Sequence, residues 1–310
     1  MEKTKNITEG DIKLLSHIAE YRFLTVKQLS AVSKRPIQVV RRRLRHLGSE
    51  RLAIMGERGF GKGPGRRENI VILTENGLEL LKSNKILSKH ALYITDKTPG
   101  SMFVDHDLLV NWFFIHLLQI ERKNPQLSSQ QLTTSSHDLK EGSAEKSLLM
   151  ECFSTDETFE GTHTMIPDGV FTITNKESEK TLLFFLEADM GTETAASTNR
   201  NPKDIRQKIV NYKALFQSNN YKRYEKIFNA ELIGFRLLFL CNTHSRMKSL
   251  CKLIQEMPPS DFIWLTDQEQ MFAQGIAANI WIRGGHQQKA LESILGKRLS
   301  FVSTVIDKIK

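Results

Sequence analysis

Cysteine is scarce in this sequence, because the 310 residues include only three, Cys152, Cys241 and Cys251. Their spacing shows neither the short paired intervals of a zinc site nor a redox-active pair. A disulfide framework is not indicated, and the pattern is typical of a protein that works in a reducing compartment.

Long apolar runs are also lacking, although 40% of the residues are hydrophobic. None is long enough to cross a bilayer, and no N-terminal segment has the pattern of a signal peptide. We therefore expect a cytoplasmic protein with no membrane insertion. The hydrophobic content and the length predict packed cores in two domains.

Negative charge is in short supply in one part of the chain only. Residues 1–85 contain 18 Lys and Arg against 9 Asp and Glu, whereas residues 86–310 contain 26 of each. The whole net charge of +9 therefore belongs to the first quarter. A basic module joined to a neutral body favours nucleic acid as the partner, with an acidic protein or a membrane surface as alternatives for the charge alone.

The first 86 residues show the element order of a winged helix-turn-helix. Apolar spacing and capping residues predict three helices, the second after Thr25 and the third between Pro36 and Gly48. Two short strands then flank a basic, glycine-rich tip, and a helix capped by Thr74 follows. The third helix of this fold enters the major groove of double-stranded DNA. A solvated helix in a protein–protein module is the alternative. The predicted DNA-binding residues are Arg41, Arg42, Arg43 and Arg45 on the helix and Arg58, Lys62, Arg66 and Arg67 in the wing.

The rest of the chain is predicted as a connector, 87–103, and a second domain, 104–310. The domain reads as helix, strands, hairpin, helix, strand, helix and strand, and the helix after the hairpin has Asn201 as its expected N-cap with Pro202 behind it. An antiparallel hairpin joined to a strand–helix–strand crossover predicts a mixed α/β sheet.

Three acids cluster at one end of the predicted hairpin, "IPDGVFTITNKESEKTLLFFLEAD". A turn centred on Glu177 and Ser178 would place Asp168 opposite Glu187, with Asp189 on the same face. Two like charges about 4 Å apart repel by about 4 kcal/mol at an effective dielectric of ~20. A divalent cation such as Mg²⁺ or Mn²⁺ would offset this repulsion, as would a shared proton or a nearby Lys or Arg. Solvated carboxylates at the strand ends are the alternative.

Several motifs together resemble a known family. The hairpin with "PDG" and "LEAD", followed by a helix carrying Lys208, is similar to the PD-(D/E)xK nuclease superfamily. The winged-helix start, "DHDLLVN", "IPDGVF", "FFLEADMGTE" and "KIVNYK" resemble the replication-relaxation family of plasmids and mobile elements, which is similar to a class of mobilisation relaxases. The likeness covers about residues 8–285.

The resemblance implies an α/β fold, α+β overall, in which a winged helix-turn-helix precedes a restriction-endonuclease-like mixed sheet. It implies that Asp168 and Glu187, with Asp189, bind a metal ion that activates water for attack on a phosphate. Asp189 stands where the superfamily has lysine, and Lys208 is the candidate replacement from the next helix. Tyr212 lies one turn beyond Lys208 and could orient a phosphate or simply pack. His106 and Asn111 are also expected to form an outer shell around this site.

Two functions follow as expectations. The first is a metal-dependent, site-directed DNA nicking endonuclease at a plasmid or mobile-element origin, working with other relaxosome or replication proteins. The second is a non-catalytic DNA-binding accessory or regulator of replication or conjugative transfer that keeps a nuclease-like fold. A transcriptional regulator with a ligand-sensing domain is a weaker third, since no closed apolar pocket is predicted.

Overall fold

The computed structural model describes residues 7–56, 68–93, 101–132, 150–154, 161–192, 195, 204–296 and 303–306. The chain divides into two compact units. The first comprises Met1–Ile115 with two short later segments, and the second comprises His116–Thr133 with Glu145–Val305. The domain boundaries predicted at residues 86 and 103 stay a prediction. Six residues named in the sequence analysis lie outside the described ranges: Arg58, Lys62, Arg66, Arg67, Asn201 and Pro202.

The first unit contains a three-stranded antiparallel sheet in the order β1-β3-β2, surrounded by helices. Its elements are α1 (Glu9–Tyr21), β1 (Phe23–Thr25), α2 (Val26–Ser33), α3 (Ile37–Ser49), β2 (Ala53–Gly56), β3 (Ile70–Leu73) and α4 (Glu75–Ser83).

The caps of these helices largely follow the sequence signals. Thr25 accepts a hydrogen bond from the backbone N–H of Gln28, and Thr74 accepts one from that of Gly77, which confirms both as N-caps. The predicted stop at Gly48 was wrong by one residue, since α3 ends at Ser49. The backbone turns left-handed at Arg51, with φ of 56°, and not at the glycine.

The second unit is built on a six-stranded mixed sheet in the order β11-β10-β9-β8-β7-β4. Strands β8, β9 and β10 are mutually parallel and the other pairings are antiparallel, which confirms the predicted mixed sheet. The strands are β4 (Leu127–Leu132), β5 (Met150–Ser154), β6 (Gly161–Met165), β7 (Gly169–Asn175), β8 (Lys180–Asp189), β9 (Phe235–Cys241), β10 (Ile263–Asp267) and β11 (Ile282–Arg283).

Helices surround this sheet. A long helix, α5 (Ser101–Lys123), begins in the first unit and enters the second at His116. It is followed by α6 (Ile205–Gln217), α7 (Arg223–Phe228), α8 (His244–Gln255) and α9 (Gln268–Gln274). None of the helices within the described residues is long and apolar enough to cross a membrane.

Two details of this unit differ from the sequence analysis. The N-cap of α6 is Asp204, whose carboxylate accepts from the backbone N–H of Gln207 at 2.8 Å, and not Asn201. Strand β5 pairs with β6 in a separate two-stranded sheet, and β6 had not been predicted. Asp204 is itself a strong capping residue, so its signal competed with that of Asn201.

An aromatic core fixes α6 on one face of the sheet. Phe185 of β8 packs against Tyr212 of α6, Tyr224 of α7 and Phe235 of β9, with ring centroids 4.8 to 5.6 Å apart. All four side chains are buried. Each fully buried side chain of this kind contributes roughly 1.5–3 kcal/mol or more. The packing therefore fixes α6 against β8.

A buried histidine makes the second unit sensitive to acid. The Nδ1 atom of His116 lies 2.9 Å from the carbonyl oxygen of Thr304, and the residue is 1% exposed. Burial lowers the pKa of His116 from 6.5 to about 4, although the bond to Thr304 acts in the opposite direction. The folded protein therefore keeps this ring neutral at a pH at which the unfolded chain protonates it.

We expect acidification to destabilise the protein through His116. The neutral ring of His116 contributes fully to the free energy of unfolding above pH 6.5. This contribution is lost as the pH falls toward 4, because only the unfolded state takes up the proton. The loss should be about 3 kcal/mol. Urea unfolding across this range should show a smaller loss for His116→Gln than for the wild type. Identical pH profiles for the two proteins would contradict this assignment.

Candidate functional site

The register of the β7–β8 hairpin brings two of the predicted acids together. Gly169 pairs with Leu186 and Asn175 pairs with Lys180, which confirms a turn centred on Glu177 and Ser178. Continued by one residue, this register sets Asp168 opposite Glu187. Residues directly opposite each other on paired strands point to the same face of the sheet. Both side chains therefore lie on the face that α6 covers.

Glu187 is held by two residues of α6. The Nζ of Lys208 donates to its Oε2 at 2.9 Å, and the hydroxyl of Tyr212 donates to its Oε1 at 2.5 Å. Lys208 and Tyr212 are four residues apart and therefore project from the same side of the helix. Glu187 is 4% exposed and Tyr212 is fully buried, while Lys208 reaches the surface in part.

Burial dominates the electrostatics of Glu187. Burial raises the pKa of Glu187 to about 7; Lys208 lowers it, Asp168 raises it, and the hydrogen bond from Tyr212 lowers it. Burial and the neighbouring Glu187 carboxylate raise the pKa of Tyr212 well above its usual range, so its hydroxyl stays a donor. Among the described residues, Lys208 is the cationic side chain that contacts Glu187.

Asp168 is oriented by the backbone of the opposite strand. Its Oδ2 accepts a hydrogen bond from the N–H of Ala188 at 2.7 Å, and the side chain is half-buried. This bond turns the carboxylate toward the end of β8, where Glu187 lies.

Asp189 is engaged elsewhere. Its Oδ1 accepts from the backbone N–H of Gly191 at 2.6 Å, and its Oδ2 accepts from Nε of Arg246 at 3.0 Å. A second guanidinium nitrogen of Arg246 lies 2.9 Å from the same oxygen. Within the described part of the chain, no three His, Cys, Asp or Glu side chains are grouped to hold one metal ion. The predicted three-carboxylate cluster therefore does not form, because Arg246 neutralises Asp189.

Sequence reasoning missed Arg246 and the neighbouring His244–Asp267 pair. The Nδ1 of His244 lies 2.9 Å from Oδ2 of Asp267. A signal was available, since His244 and Arg246 lie in the helix that follows the buried strand β9, and Asp267 is the last residue of the buried strand β10. Ligands in open α/β sheets bind beyond the carboxyl ends of such strands.

The residues expected in an outer shell make local contacts in the first unit. The side-chain amide of Asn111 donates to the carbonyl of Phe23 at 2.8 Å and is buried. The Nδ1 of His106 lies 3.0 Å from the carboxylate of Asp107. The amide of Asn111 therefore ties α5 to β1, which is a structural role.

The basic helix α3 divides its arginines between two roles. Arg41, Arg42 and Arg45 are exposed, whereas the apolar residues Ile37, Val40, Leu44 and Leu47 are buried. Arg43 instead forms a salt bridge with Asp11 of α1, whose side chain is completely buried, and its Nε donates to Asp11 at 2.7 Å. The prediction that Arg43 contacts DNA is therefore corrected, because its guanidinium is bound inside the unit.

Asp11 needs this partner. Burial acts to raise its pKa, but hydrogen bonds from Arg43 and from Thr8 outweigh burial and lower the pKa overall. Asp11 and Thr8 also form the capping box that begins α1.

We expect Arg43→Met to destabilise the protein by roughly 3 kcal/mol, because it leaves a buried carboxylate without its cation. Arg41→Met, on the exposed side of the same helix, should change the free energy of unfolding by no more than about 0.5 kcal/mol. The urea midpoints of the two variants measure this difference. Equal midpoints would contradict the pairing of Arg43 with Asp11 and would indicate that Arg43 is exposed like Arg41.

These features define a mixed α+β protein. Its six-stranded sheet carries a candidate site formed by Asp168, Glu187 and Lys208, and its first unit contains the basic helix α3. A family model described as replication-relaxation matches residues 15–230, which is more than half of the chain. The chain belongs to the replication-relaxation family.

The other two comparisons add little. A search of curated proteins finds no match. Among solved structures, the SdaI restriction endonuclease is 12% identical, with 87% of this chain and 88% of that chain covered and a TM-score of 0.20. A similarity of that size supports no conclusion about the fold.

Proposed function

We propose that this protein binds double-stranded DNA and nicks it in a metal-dependent reaction at the origin of a plasmid or mobile element. The observation that carries the proposal is the grouping of Asp168, Glu187 and Lys208 at the end of β8. These are the residue types that the PD-(D/E)xK resemblance implies, with the lysine supplied by α6. Membership of the replication-relaxation family supports DNA as the substrate.

The donor set fits a divalent cation. Carboxylate oxygens are the ligands that Mg²⁺ and Mn²⁺ prefer. Asp168 and Glu187 share a face, and burial together with the Asp168 carboxylate raises the pKa of Glu187, which supports a site that a cation would stabilise. We propose these two residues as metal ligands, without Asp189. A bound divalent ion would supply Lewis-acid activation of a phosphate ester.

The remaining residues position this pair. Tyr212 holds Glu187 through a buried hydrogen bond and cannot reach a phosphate itself, because it is fully buried. The N–H of Ala188 holds Asp168. Lys208 is partly exposed and stands beside Glu187, where its ammonium group can neutralise charge on a phosphate.

The first unit is proposed to find the DNA. The order α1-β1-α2-α3-β2-β3-α4 supports a winged helix-turn-helix, with β2 and β3 as the base of the wing. In that proposal α3 enters the major groove and presents Arg41, Arg42 and Arg45. The proposed wing contacts complete the interface: Arg58, Lys62, Arg66 and Arg67. Other relaxosome or replication proteins are proposed partners at the origin.

Incubation with supercoiled origin DNA tests the proposal. The full-length protein should convert it to the open-circle form with Mg²⁺ or Mn²⁺ and should leave it intact with a chelator. Supercoiled DNA that stays intact under both conditions, although the protein is folded and bound, would count against an enzyme.

One observation favours a second function. Both carboxylate oxygens of Glu187 already accept hydrogen bonds, from Lys208 and from Tyr212. Such a satisfied buried group can be purely structural, as in a nuclease-like domain that only binds DNA. The protein would then be a non-catalytic accessory or regulator of replication or transfer, and it would bind origin DNA without nicking it.

A further inference from the structure

A groove in the first unit runs beside the basic helix α3 and is called the α3 groove below. It has a volume of about 500 Å³, and its apolar lining is formed by Val26, Leu44, Gly48 and Met55. These residues come from α2, α3 and β2, so three elements enclose the groove. Met55 is 45% exposed. The lining therefore offers apolar surface that solvent can reach.

Gly48 keeps this groove open. It lies within α3 and its φ is not positive, so its conformation does not require glycine. Beyond α3 itself, a Cβ atom at this position would meet one described atom within 4 Å, the carbonyl oxygen of Ala53 at 3.8 Å. Close packing therefore does not require glycine either. Since glycine is less favourable than alanine in a helix, the space that it leaves is the feature that explains it.

Two arginines form the charged rim of the α3 groove. Arg41 and Arg45 both line it and are exposed. Within the described ranges neither guanidinium makes a hydrogen bond or an ion pair, whereas Arg43 is bound to Asp11. Residues 1–85 also carry the whole net charge of +9. An occupant that complements this surface is therefore acidic.

The size of the α3 groove favours protein over DNA as its occupant. The apolar group that duplex DNA presents in its major groove is the thymine methyl. An apolar cavity of about 150 Å³ already holds a benzene ring. The α3 groove, at about 500 Å³, therefore has room for more than one bulky side chain. Amphipathic helices fill grooves of this kind with apolar side chains from one face.

We propose that the α3 groove binds an acidic, amphipathic segment of a partner protein. Its bulky apolar side chains pack against Val26, Leu44 and Met55, and its carboxylates pair with Arg41 and Arg45. Because the proposed function assigns the same two arginines to DNA, the segment and DNA exclude each other. This competition rests on the proposed function, whereas the docking itself does not.

Selection from random peptides tests the docking without knowledge of the partner. The full-length protein selects from a displayed library of random peptides of ~16 residues, about four helical turns. We expect the enriched peptides to combine Asp or Glu with bulky apolar residues. Anisotropy of one enriched peptide, labelled and without DNA, then gives its affinity for each variant of the protein.

Gly48→Leu is the main variant, because it fills the α3 groove, leaves both arginines in place and suits a helix better than glycine. Gly48 lies three residues from Arg45 and four from Leu44, so the new side chain projects from the same side of α3. The substitution should weaken peptide binding by about tenfold or more. Arg41→Ala with Arg45→Ala should weaken it several-fold.

Ser49→Leu is the matched control. It adds the same side chain at the next position of α3, which is exposed and does not line the groove. It should change the affinity for the peptide by less than about twofold. A library without enrichment would overturn the proposal, as would enriched peptides that bind Gly48→Leu as tightly as the wild type.

Displacement of DNA separates the docking from the proposed function. The enriched peptide should release a fluorescent origin duplex from the wild type, and it should fail to do so from Gly48→Leu at the same concentration. Peptide binding that is lost in Gly48→Leu, in a protein that does not bind DNA, would uphold the docking and reject α3 as the DNA-binding element. A duplex that stays bound while the peptide saturates the wild type would overturn the competition.

Discussion

Glu187→Gln should abolish metal-dependent nicking and reduce it to the level seen with a chelator. The substitution removes one of the two proposed metal ligands but preserves the shape of the side chain. The fold should tolerate it, because burial already raises the pKa of Glu187 to about 7 and a neutral group suits the site. Gel separation of open-circle from supercoiled DNA measures the loss.

Stabilisation by metal provides a second measurement on the same variant. At a concentration a hundredfold above its dissociation constant, Mg²⁺ should stabilise the wild type by about 2.7 kcal/mol. Glu187→Gln and Asp168→Asn should lose this gain, whereas Lys208→Ala should keep it and lose only nicking. Glu177→Gln, in the exposed hairpin turn, is the matched control and should behave as the wild type. Nicking by Glu187→Gln at the wild-type rate would remove Glu187 from the chemistry.

Joint replacement of Arg41, Arg42 and Arg45 with alanine should weaken binding to duplex DNA by two to three orders of magnitude at ~0.1 M salt. If four to six phosphates are neutralised, the wild-type slope of log K against log salt should be roughly −4 to −5, and the triple variant should lose about 2.7 of this. The cause is the exposure of these arginines on one side of α3. Anisotropy titrations with the full-length protein supply both quantities.

Lys176→Ala with Lys180→Ala provides the comparison. Both lysines are exposed beside the β7–β8 turn and belong to the second unit, whereas α3 belongs to the first. Their removal should weaken DNA binding far less than loss of the three arginines. Equal losses in the two variants would show that α3 is not the DNA-binding surface.

Local patterns predicted the parts of the fold that local physics controls. The alternation of β8 and the polar turn at Glu177 and Ser178 were enough to give the hairpin register, and thereby the shared face of Asp168 and Glu187. The helical spacing of four residues likewise predicted that Lys208 and Tyr212 project together. Capping side chains at Thr25 and Thr74 began the helices as expected.

Contacts between distant segments could not be predicted in the same way. Arg43 looked like its neighbours in sequence, and only the packing of α1 against α3 directs it to Asp11. Asp189 looked like a third metal ligand because nothing near it in sequence reveals Arg246, 57 residues away. The sequence left two roles open for Tyr212, to orient a phosphate or simply to pack, and the aromatic core that buries it completely favours packing.

The location of Mn²⁺ in crystals of the full-length protein tests the central claim most directly. Anomalous scattering identifies the ion without reference to catalysis. We expect one Mn²⁺ beside the carboxylates of Asp168 and Glu187, with Lys208 displaced from Glu187 and Asp189 still bound to Arg246. Crystals that hold no Mn²⁺ at this position at saturating concentration, with Lys208 still hydrogen-bonded to Glu187, would contradict the metal site and favour the non-catalytic function.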